Sequence, residues 1–302
     1  MSKHIDLNMN RNIIKAWWWR GEINLGDVLT PYIIKKLSGI ECENVGYKWT
    51  YVLKYLLGQI HHHLPINKKI LTPFYFKEPE YILGVGSILH HESDGKAIAW
   101  GSGFLKREHV FTGKKAVAVR GEYSAKRLHE LGYPQVNVLG DPALLLPLIF
   151  NEQIPKNEKI AIIPHYVEYE EFNDKYGQHY DIINMKTSDI EGTVKKISSY
   201  RYILSSSLHG IIIGQAYKVP TIWIEAEQLA NDSFHFKFRD YFSSVGIDYY
   251  EPYRNIDEIV NGDIKQFFED NKSRSSINKD LSVIQQNLLK VAPFPVLSQY
   301  FK

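Results

Sequence analysis

The sequence predicts an α/β fold in which two domains each contain a parallel β-sheet. Three observations support this class. Short apolar runs alternate with amphipathic segments, which is the pattern of parallel strands connected by helices. The chain has 302 residues, enough for two domains of ~150 residues each. A stretch with little periodicity and several prolines and charges, at residues 147–159, marks the boundary between them.

The first half of the chain alternates predicted strands with predicted helices. We expect strands at residues 13–19, 81–89, 96–100, 115–119 and 136–139, and helices at 26–37 and 122–131. In the second of these helices Glu122, Lys126 and Glu130 form a charged i, i+4 face. Gly132 follows, where glycine commonly ends a helix.

The second half repeats this alternation. We expect strands at residues 159–163, 181–185, 202–204 and 221–224, and helices at 192–200 and 208–217. A last helix at 278–291 could lie on either domain, and one option is that it packs back on the first. We therefore divide the chain into a domain of residues 1–150 and a domain of residues 151–302.

The composition argues against several classes of protein. With 36 basic and 34 acidic side chains the formal charge is +2, so there is no polybasic case for nucleic acid. Cys42 is the only cysteine, so no internal disulfide is available and the cytoplasm is the expected compartment. Residues 1–15 contain charges and no long apolar run, which predicts neither a signal peptide nor a membrane span. A peripheral role at a membrane surface stays open.

The segment at residues 202–220 is the most informative part of the chain. It places a buried strand, three serines and an apolar helix in succession, with His209 at the start of the helix. The first turn of a helix offers unpaired backbone N–H groups, so Ser205, Ser206 and Ser207 could hold a phosphate or carboxylate there. The alternative is that the serines only cap the helix and His209 only packs.

Four further loops also follow predicted strands, at the end of the sheet where ligands bind in such folds. In the first, Asn24 and Asp27 could cap a helix or contact a ligand, and Gly26 permits a tight turn. The loops at 84–89 and 101–106 contain paired glycines, but neither completes G-x-G-x-x-G. A dinucleotide site is therefore not expected.

The fourth loop contains Arg120, and the strand end that follows it contains Asp141. Arg120 could bind a carboxylate or phosphate through two parallel N–H bonds, or form a structural ion pair with Glu122 or another acid. Asp141 lies in a Gly-Asp-Pro turn signal. The histidine run at 61–63 lacks ligand geometry and a carboxylate partner, so we expect no metal site.

A later helix, at residues 233–242, combines an apolar face with cationic side chains. The apolar face is formed by Phe234, Phe238, Tyr241, Phe242 and Val245. His235 and Arg239 are four residues apart and share a neighbouring face, which could supply anion contacts if it lines a cleft.

Taken together, these loops resemble the polysaccharide pyruvyl transferase family. The residues that carry the resemblance appear in the family's order: Asn24–Asp27 with Leu29–Pro31, Gly84–Ser87, Trp100–Gly103, Val119–Glu122, Leu139–Ala143, Ser206–Gly210 and Phe236–Tyr241. The resemblance implies two Rossmann-like domains facing a cleft, similar to two-domain nucleotide-sugar glycosyltransferases. It also implies transfer of pyruvate from phosphoenolpyruvate onto two hydroxyls of a sugar, as a cyclic ketal.

The resemblance also suggests roles for the residues in these loops. Phosphoenolpyruvate would be held by Arg120 and by the turn that contains Ser206, Ser207 and Leu208, from opposite domains. Its phosphate would lie on the side of residues 151–302, and the acceptor on the side of residues 1–150. The other binding candidates are Asn24, Gly86, Ser87, Lys237 and Arg239. Some members carry arginine immediately before the Leu-His pair, where this chain has Ser207. Lys237 or Arg239 could supply that missing charge.

A mechanism follows as an expectation from this resemblance. His209 is the candidate general acid or phosphate-side donor, because the ordinary pKa of histidine lies near working pH. Asp27 or Asp141 is the candidate base for the attacking hydroxyl. The chemistry requires neither a metal nor a cofactor. The acceptor would belong to a capsule or exopolysaccharide, an oligosaccharide or a lipid-linked precursor at the inner face of the membrane.

Two other functions remain open. A glycosyltransferase that uses a nucleotide sugar would hold a diphosphate in the same kind of cleft and at the same kind of helix N-terminus. A non-catalytic carbohydrate-binding or assembly subunit would bind the acceptor without releasing phosphate.

Overall fold

A computed structural model describes residues 13–46, 49–61, 65–66, 80–91, 93, 95–225 and 232–301. Residues 1–12 lie outside these ranges, and they are most of the segment 1–15 that predicted neither a signal peptide nor a membrane span. His62 and His63 of the histidine run also lie outside them. The described residues form a mixed α/β structure with two parallel sheets, which confirms the predicted fold class. The division into Rossmann-like domains at 1–150 and 151–302 stays a prediction.

The first sheet contains five described strands, in the order β2-β1-β3-β4-β5. They are β1 (Ile14–Trp17), β2 (Cys42–Asn44), β3 (Tyr81–Leu83), β4 (Ala97–Trp100) and β5 (Lys115–Ala118). All neighbouring pairs are parallel, with Ala16 opposite Ile82 and Tyr81 opposite Ala97. The helices that follow these strands are α1 (Leu25–Ser38), α2 (Trp49–His61) and α3 (Glu122–Glu130).

The second sheet contains four described strands, in the order β7-β6-β8-β9. They are β6 (Ile160–Ile163), β7 (Asp181–Ile182), β8 (Tyr202–Ser205) and β9 (Thr221–Trp223), and all pairs are parallel. The helices around and after it are α4 (Leu146–Ile149), α5 (Tyr169–Tyr176), α6 (Ile190–Ser198), α7 (Leu208–Ala216), α8 (Asp232–Val245), α9 (Ile256–Asn261), α10 (Ile264–Asp270), α11 (Lys272–Ser275) and α12 (Leu281–Lys290).

Several strands differ from the sequence prediction. Those expected at 13–19 and 181–185 are shorter, at Ile14–Trp17 and Asp181–Ile182. The strand expected at 81–89 ends at Leu83, because Gly84 begins a loop in which Gly86 has a φ of +115°. The strand expected at 136–139 is reduced to one parallel bridge between Val119 and Leu139. Strand β2 was not predicted, since its three residues Cys-Glu-Asn carry no apolar pattern.

A hydrophobic core lies between the two sheets. Helices α1, α7 and α12 and the 3₁₀ turn Pro142–Leu145 contribute to it through Leu29, Leu144, Ile212 and Leu288. Helix α12 belongs to the end of the chain but is tied to the first half. Trp100 Nε1 donates to the Leu288 carbonyl at 3.0 Å, and Gln285 Nε2 donates to the Leu144 carbonyl at 2.7 Å.

The apolar face of helix α8 packs into the core that the two halves of the chain share. Phe238, Tyr241, Phe242 and Val245 belong to the shared core, which confirms the predicted apolar face for these four residues. The side chain of Phe234, the fifth predicted member, lies outside the described part of the structure. In the described ranges no helix combines the length and the apolar character that a membrane span requires.

Candidate functional site

The carboxyl ends of the strands bring the predicted loops together. In parallel sheets this edge is where ligands bind. The start of α1, which follows β1, reaches the loop after β7 in the other sheet, since the Leu25 N–H donates to the Met185 carbonyl at 2.8 Å. The two halves of the chain therefore meet at the N-terminus of α1.

His209 lies in the first turn of α7 and packs against Gly26 in the first turn of α1. A Cβ atom built on Gly26 would lie 2.1 Å from His209 Nδ1, so only glycine allows this contact. The ring nitrogen Nε2 of His209 is buried and has no hydrogen-bond partner among the described residues. A buried polar atom of this kind is costly unless a ligand satisfies it.

The titration of His209 differs from the sequence expectation. Burial, and to a smaller extent the nearby Lys237, Arg120 and His165, lower its pKa to about 3. The expectation that this imidazole titrates near working pH is therefore wrong for the free chain. At neutral pH His209 is uncharged and can donate or accept a hydrogen bond.

Two polar residues at the N-terminus of α1 have different roles. Asn24 is the N-cap, and its side-chain oxygen accepts from the Gly26 N–H at 3.2 Å. Asp27 lies in the first turn and is partly accessible, and burial of its carboxyl raises its pKa to about 7. Asp27 therefore exchanges a proton near neutral pH.

Arg120 is part of a fully buried ion pair. Its partner is Asp240 in α8 rather than Glu122, with Nε 3.0 Å from Asp240 Oδ2 and both side chains inaccessible. Its other nitrogens donate to the Phe104 carbonyl at 2.8 Å and to Ser87 Oγ at 2.6 Å. Of the two predicted interpretations, the structure shows the ion pair. The contact of Arg120 with a donor carboxylate stays a prediction.

The backbone around this ion pair leaves no room for larger residues. A Cβ on Gly121 would lie 1.7 Å from the Asp240 carbonyl oxygen, and one on Gly103 would lie 2.4 Å from the Arg120 guanidinium carbon. Asp240 also accepts from the Ser124 N–H at 2.8 Å and from Ser124 Oγ at 2.7 Å. These contacts fix α8 against α3 beside the predicted loops.

The glycine-rich loop after β3 supports Arg120. The Gly86 carbonyl accepts from Ser102 Oγ at 2.9 Å and from the Gly103 N–H at 3.0 Å. This pairing holds the loops after β3 and β4 side by side, and it places the partly accessible Ser87 against the Arg120 guanidinium.

The three serines before α7 have different roles. Ser205 Oγ donates to the Ile163 carbonyl at 2.8 Å and joins the two central strands. Ser206 Oγ donates to Glu168 Oε2 at 2.6 Å and accepts from the His165 N–H at 2.8 Å. Ser207 is the N-cap of α7, and its Oγ accepts from the Gly210 N–H at 3.4 Å. Leu208 then begins the helix, with its N–H in the first turn.

Of the two cations proposed to replace the missing arginine, the structure brings Lys237 to His209. The Lys237 side chain is only 9% exposed. Burial and the neighbouring Arg120 lower its pKa to about 8, although Glu168 opposes this shift. Arg239 instead donates to Tyr249 Oη at 3.0 Å and lies 4.0 Å from Glu251.

His235, the other predicted anion contact of this helix, has a carboxylate partner instead. Its Nε2 lies 2.7 Å from Glu225 Oε1 in a buried pair. The shared cationic face expected for His235 and Arg239 is therefore already engaged with Glu225, Tyr249 and Glu251.

Asp141 is fully buried, and its Oδ1 accepts from the Ala143 N–H at 2.9 Å. It caps the turn Pro142–Leu145, as its Asp-Pro sequence indicated. Burial raises the pKa of Asp141 to about 7. Of the two candidate bases, Asp27 is the more accessible.

Two residues that the sequence reasoning missed line a cavity of about 270 Å³ beside Lys237. They are His165 and Glu168, in the loop after β6. Glu168 is 3% exposed, and burial raises its pKa. The signal was available, because His165 follows a predicted strand end like the other site residues. In the described ranges no group of three or more histidine, cysteine or acidic side chains could hold a metal ion.

Comparison with known proteins supports the resemblance seen in the loops. A family model for polysaccharide pyruvyl transferase matches residues 24–227. The match includes Asp27, Arg120 and His209 and ends before Lys237. One relative, the uncharacterized protein L143 of Acanthamoeba polyphaga mimivirus, is 27% identical over 227 residues, which cover 68% of this chain and 79% of the relative. The chain belongs to the polysaccharide pyruvyl transferase family.

Proposed function

We propose that this protein transfers pyruvate from phosphoenolpyruvate onto two hydroxyls of a sugar and forms a cyclic ketal. The observation that supports this most is the close approach of the first turns of α1 and α7, where His209 packs on Gly26, the chain neighbour of Asp27, and lies near Lys237. A buried cation, an unpaired ring nitrogen and a proton-exchanging carboxyl are the groups that an anionic enol ester requires.

The donor would bind with its phosphate at the start of α7. Backbone N–H groups in this first turn favour an anion, and Lys237 adds a positive charge beside them. His209 would donate from Nε2. The carboxylate would accept from the hydroxyl of Ser87, which is partly accessible and is held from behind by the buried Arg120 guanidinium. In this arrangement residues 1–150 and 151–302 act as two domains that share the donor.

The reaction would proceed by protonation of the methylene carbon of phosphoenolpyruvate, which leaves an oxocarbenium-like centre at C2. One sugar hydroxyl forms a bond to C2 and releases its proton to a base. The C–O bond to phosphate breaks, and the second hydroxyl closes the ring. The two hydroxyl protons are balanced by the proton added to the methylene carbon and by the one carried away on phosphate.

Asp27 is the residue best suited to move these protons. Its pKa of about 7 means that it is protonated in part of the molecules at neutral pH. His209 is uncharged in the free chain, so it would act first as a hydrogen-bond donor to phosphate. A bound dianion beside it offsets the charges of Lys237 and Arg120 and raises the pKa of its imidazole.

The acceptor is a sugar of a polysaccharide, of an oligosaccharide or of a lipid-linked precursor in capsule or exopolysaccharide biosynthesis. The family supports a sugar acceptor in general. We place the reaction in the cytoplasm, at the inner face of the membrane when the acceptor is lipid-linked. Neither a metal nor a cofactor takes part in the proposed steps.

Thermal unfolding with added ligands tests the donor. Phosphoenolpyruvate should raise the Tm, because a ligand that binds only the folded state stabilises it. Uridine and guanosine diphosphates should leave the Tm unchanged. Stabilisation by a nucleoside diphosphate and not by phosphoenolpyruvate would contradict the proposal and favour a glycosyltransferase.

A further inference from the structure

The cavity beside Lys237 has a polar corner that the donor does not use. It lies between the loop after β6 and the end of β9, and its walls include His165, Tyr166, Glu168 and Trp223. Two buried atoms at its edge, Glu168 Oε1 and His165 Nδ1, have no hydrogen-bond partner within the described ranges. Buried polar atoms in folded proteins are almost always satisfied, so this pair points to a ligand.

The carboxylate of Glu168 is held in place from one side only. Its Oε2 accepts from Ser206 Oγ at 2.6 Å and from the His165 N–H at 3.2 Å. These two bonds fix the orientation of the carboxylate and leave Oε1 as a free acceptor. A ligand that satisfies Oε1 must bring a donor, and an alcohol O–H is such a donor.

His165 completes the requirement for a hydroxyl. Burial, and to a smaller extent Lys237, lower its pKa to about 3, so the imidazole is uncharged at neutral pH. A neutral imidazole nitrogen can donate or accept according to its tautomer. A carboxylate and a neutral imidazole side by side match the paired hydroxyls of a sugar better than they match an anion.

The charge and size of the cavity agree with this chemistry. Lys237 and Glu168 carry opposite charges, and Glu225 is already paired with His235 and Arg254. The volume of about 270 Å³ lies just below the ~300–1,000 Å³ of ordinary ligand pockets. The cavity is large enough for one sugar ring but too small for an oligosaccharide. The apolar walls suit the C–H face of a pyranose.

We propose that this cavity binds one pyranose ring of the acceptor, with Glu168 Oε1 and His165 Nδ1 as the ligands of its hydroxyls. This inference rests on the proposed function and extends it. Lys237 borders both the cavity and His209, so a hydroxyl held here lies next to the donor. The placement differs from the sequence expectation, which put the acceptor on the side of residues 1–150.

The His165→Phe variant provides the sharpest test. It keeps an aromatic ring and the backbone N–H that holds Ser206 and Glu168, and it removes only the ring nitrogens. His179→Phe, at an exposed position of the same half, is the matched control. Binding of the methyl glycosides of galactose, mannose and N-acetylglucosamine is measured by saturation-transfer NMR, and the affinity for the best of them by titration.

We expect the wild type to bind at least one of these glycosides without phosphoenolpyruvate. His165→Phe and Glu168→Gln should each weaken that binding about tenfold, the size of one lost hydrogen bond, whereas His179→Phe should not change it. The increase in Tm caused by phosphoenolpyruvate should persist in His165→Phe. The proposal is overturned if no glycoside binds, if His165→Phe binds normally, or if this variant loses the response to phosphoenolpyruvate instead.

This design separates the two proposals. Glycoside binding without any response to phosphoenolpyruvate would contradict the proposal that phosphoenolpyruvate is the donor, but it would support a sugar site. A response to phosphoenolpyruvate without glycoside binding would retain the donor and reject the subsite.

Discussion

Burial moves the pKa values of Asp27 and His209 in opposite directions. The pKa of Asp27 rises to about 7 and that of His209 falls to about 3, because each loses the water that stabilises its charged form. At neutral pH these two residues therefore carry less charge than their ordinary pKa values suggest. Lys237 remains mostly protonated at this pH, since its pKa is about 8.

Replacement of Asp27 by asparagine should inactivate the protein and stabilise it. The folded chain keeps a proton on Asp27 between pH 3.8 and about 7 that the unfolded chain has lost. The free energy of unfolding therefore falls as pH rises through this range. Asparagine does not titrate, so Asp27→Asn avoids this fall in stability. The Tm of the variant should therefore exceed that of the wild type by more at pH 8 than at pH 5.

The activity of Asp27→Asn should fall about 100-fold or more, the usual contribution of a general acid or base. Glu22→Gln, an exposed change in the same loop, should alter neither the activity nor the Tm. Equal Tm changes at both pH values would show that Asp27 is not a buried carboxyl.

Lys237 and Arg239 should differ in their effect on the donor. Lys237→Met should abolish the increase in Tm caused by phosphoenolpyruvate, because it removes the cation beside His209. Arg239→Gln should leave it intact, since Arg239 contacts Tyr249 and Glu251. If Lys237→Met kept the increase in Tm and Arg239→Gln lost it, Arg239 rather than Lys237 would be the residue that contacts the phosphate.

The charge of Lys237 also gives the donor affinity a pH dependence. Lysine is protonated below its pKa, which is about 8 here. The affinity of the wild type for phosphoenolpyruvate should therefore fall as pH rises through 8. Titration calorimetry at pH 7 and pH 9 measures this, and the same fall should be seen in Arg239→Gln, which keeps Lys237. An affinity that is equal at the two pH values would contradict a contact between Lys237 and the donor.

At the scale of elements, the site depends on how closely the first turns of α1 and α7 approach. Gly26 makes this approach possible, because any side chain there would displace the imidazole of His209. Strand-to-helix loops of this kind could be predicted from the sequence, since glycine, serine and asparagine occur where apolar runs end. The contact between two such loops could not be predicted, because it depends on how the sheets face each other.

Gly26→Ala should lower activity strongly although alanine is the better helix former. Its Cβ would lie 2.1 Å from His209 Nδ1, so the imidazole must move. Gly58→Ala in α2 is the control, because its Cβ meets nothing within 4 Å. That control should keep its activity and gain up to ~1 kcal/mol in stability. Normal activity in Gly26→Ala would show that the reaction does not depend on the position of the His209 imidazole.

At the scale of the whole molecule, α8 joins the two halves. It comes after the second sheet in the chain, yet Asp240 pairs with Arg120 at the end of β5, 120 residues away. The family motifs predicted Arg120 as a site residue, but its partner could not be found from one sequence. A buried pair so distant in sequence leaves no local pattern. The same holds for the pairing of Glu168 with Ser206.

Removal of one member of this pair should destabilise the protein severely. Asp240→Ala leaves the fully buried Arg120 without its counter-charge, which costs about 3–5 kcal/mol in comparable cases. The exposed pair Lys175–Asp257 is the control, and Asp257→Ala should cost less than about 1 kcal/mol. Urea unfolding measures both changes. A small effect of Asp240→Ala would mean that Arg120 is not held by this ion pair.

Detection of the reaction product tests the central claim most directly. The wild type is incubated with phosphoenolpyruvate and each methyl glycoside, while released phosphate and the mass of the glycoside are followed together. We predict phosphate release that depends on the glycoside, with a mass gain equal to pyruvate minus one water, and neither signal in Asp27→Asn. Glycoside-independent phosphate release, or a product formed only from a nucleotide sugar, would contradict the account.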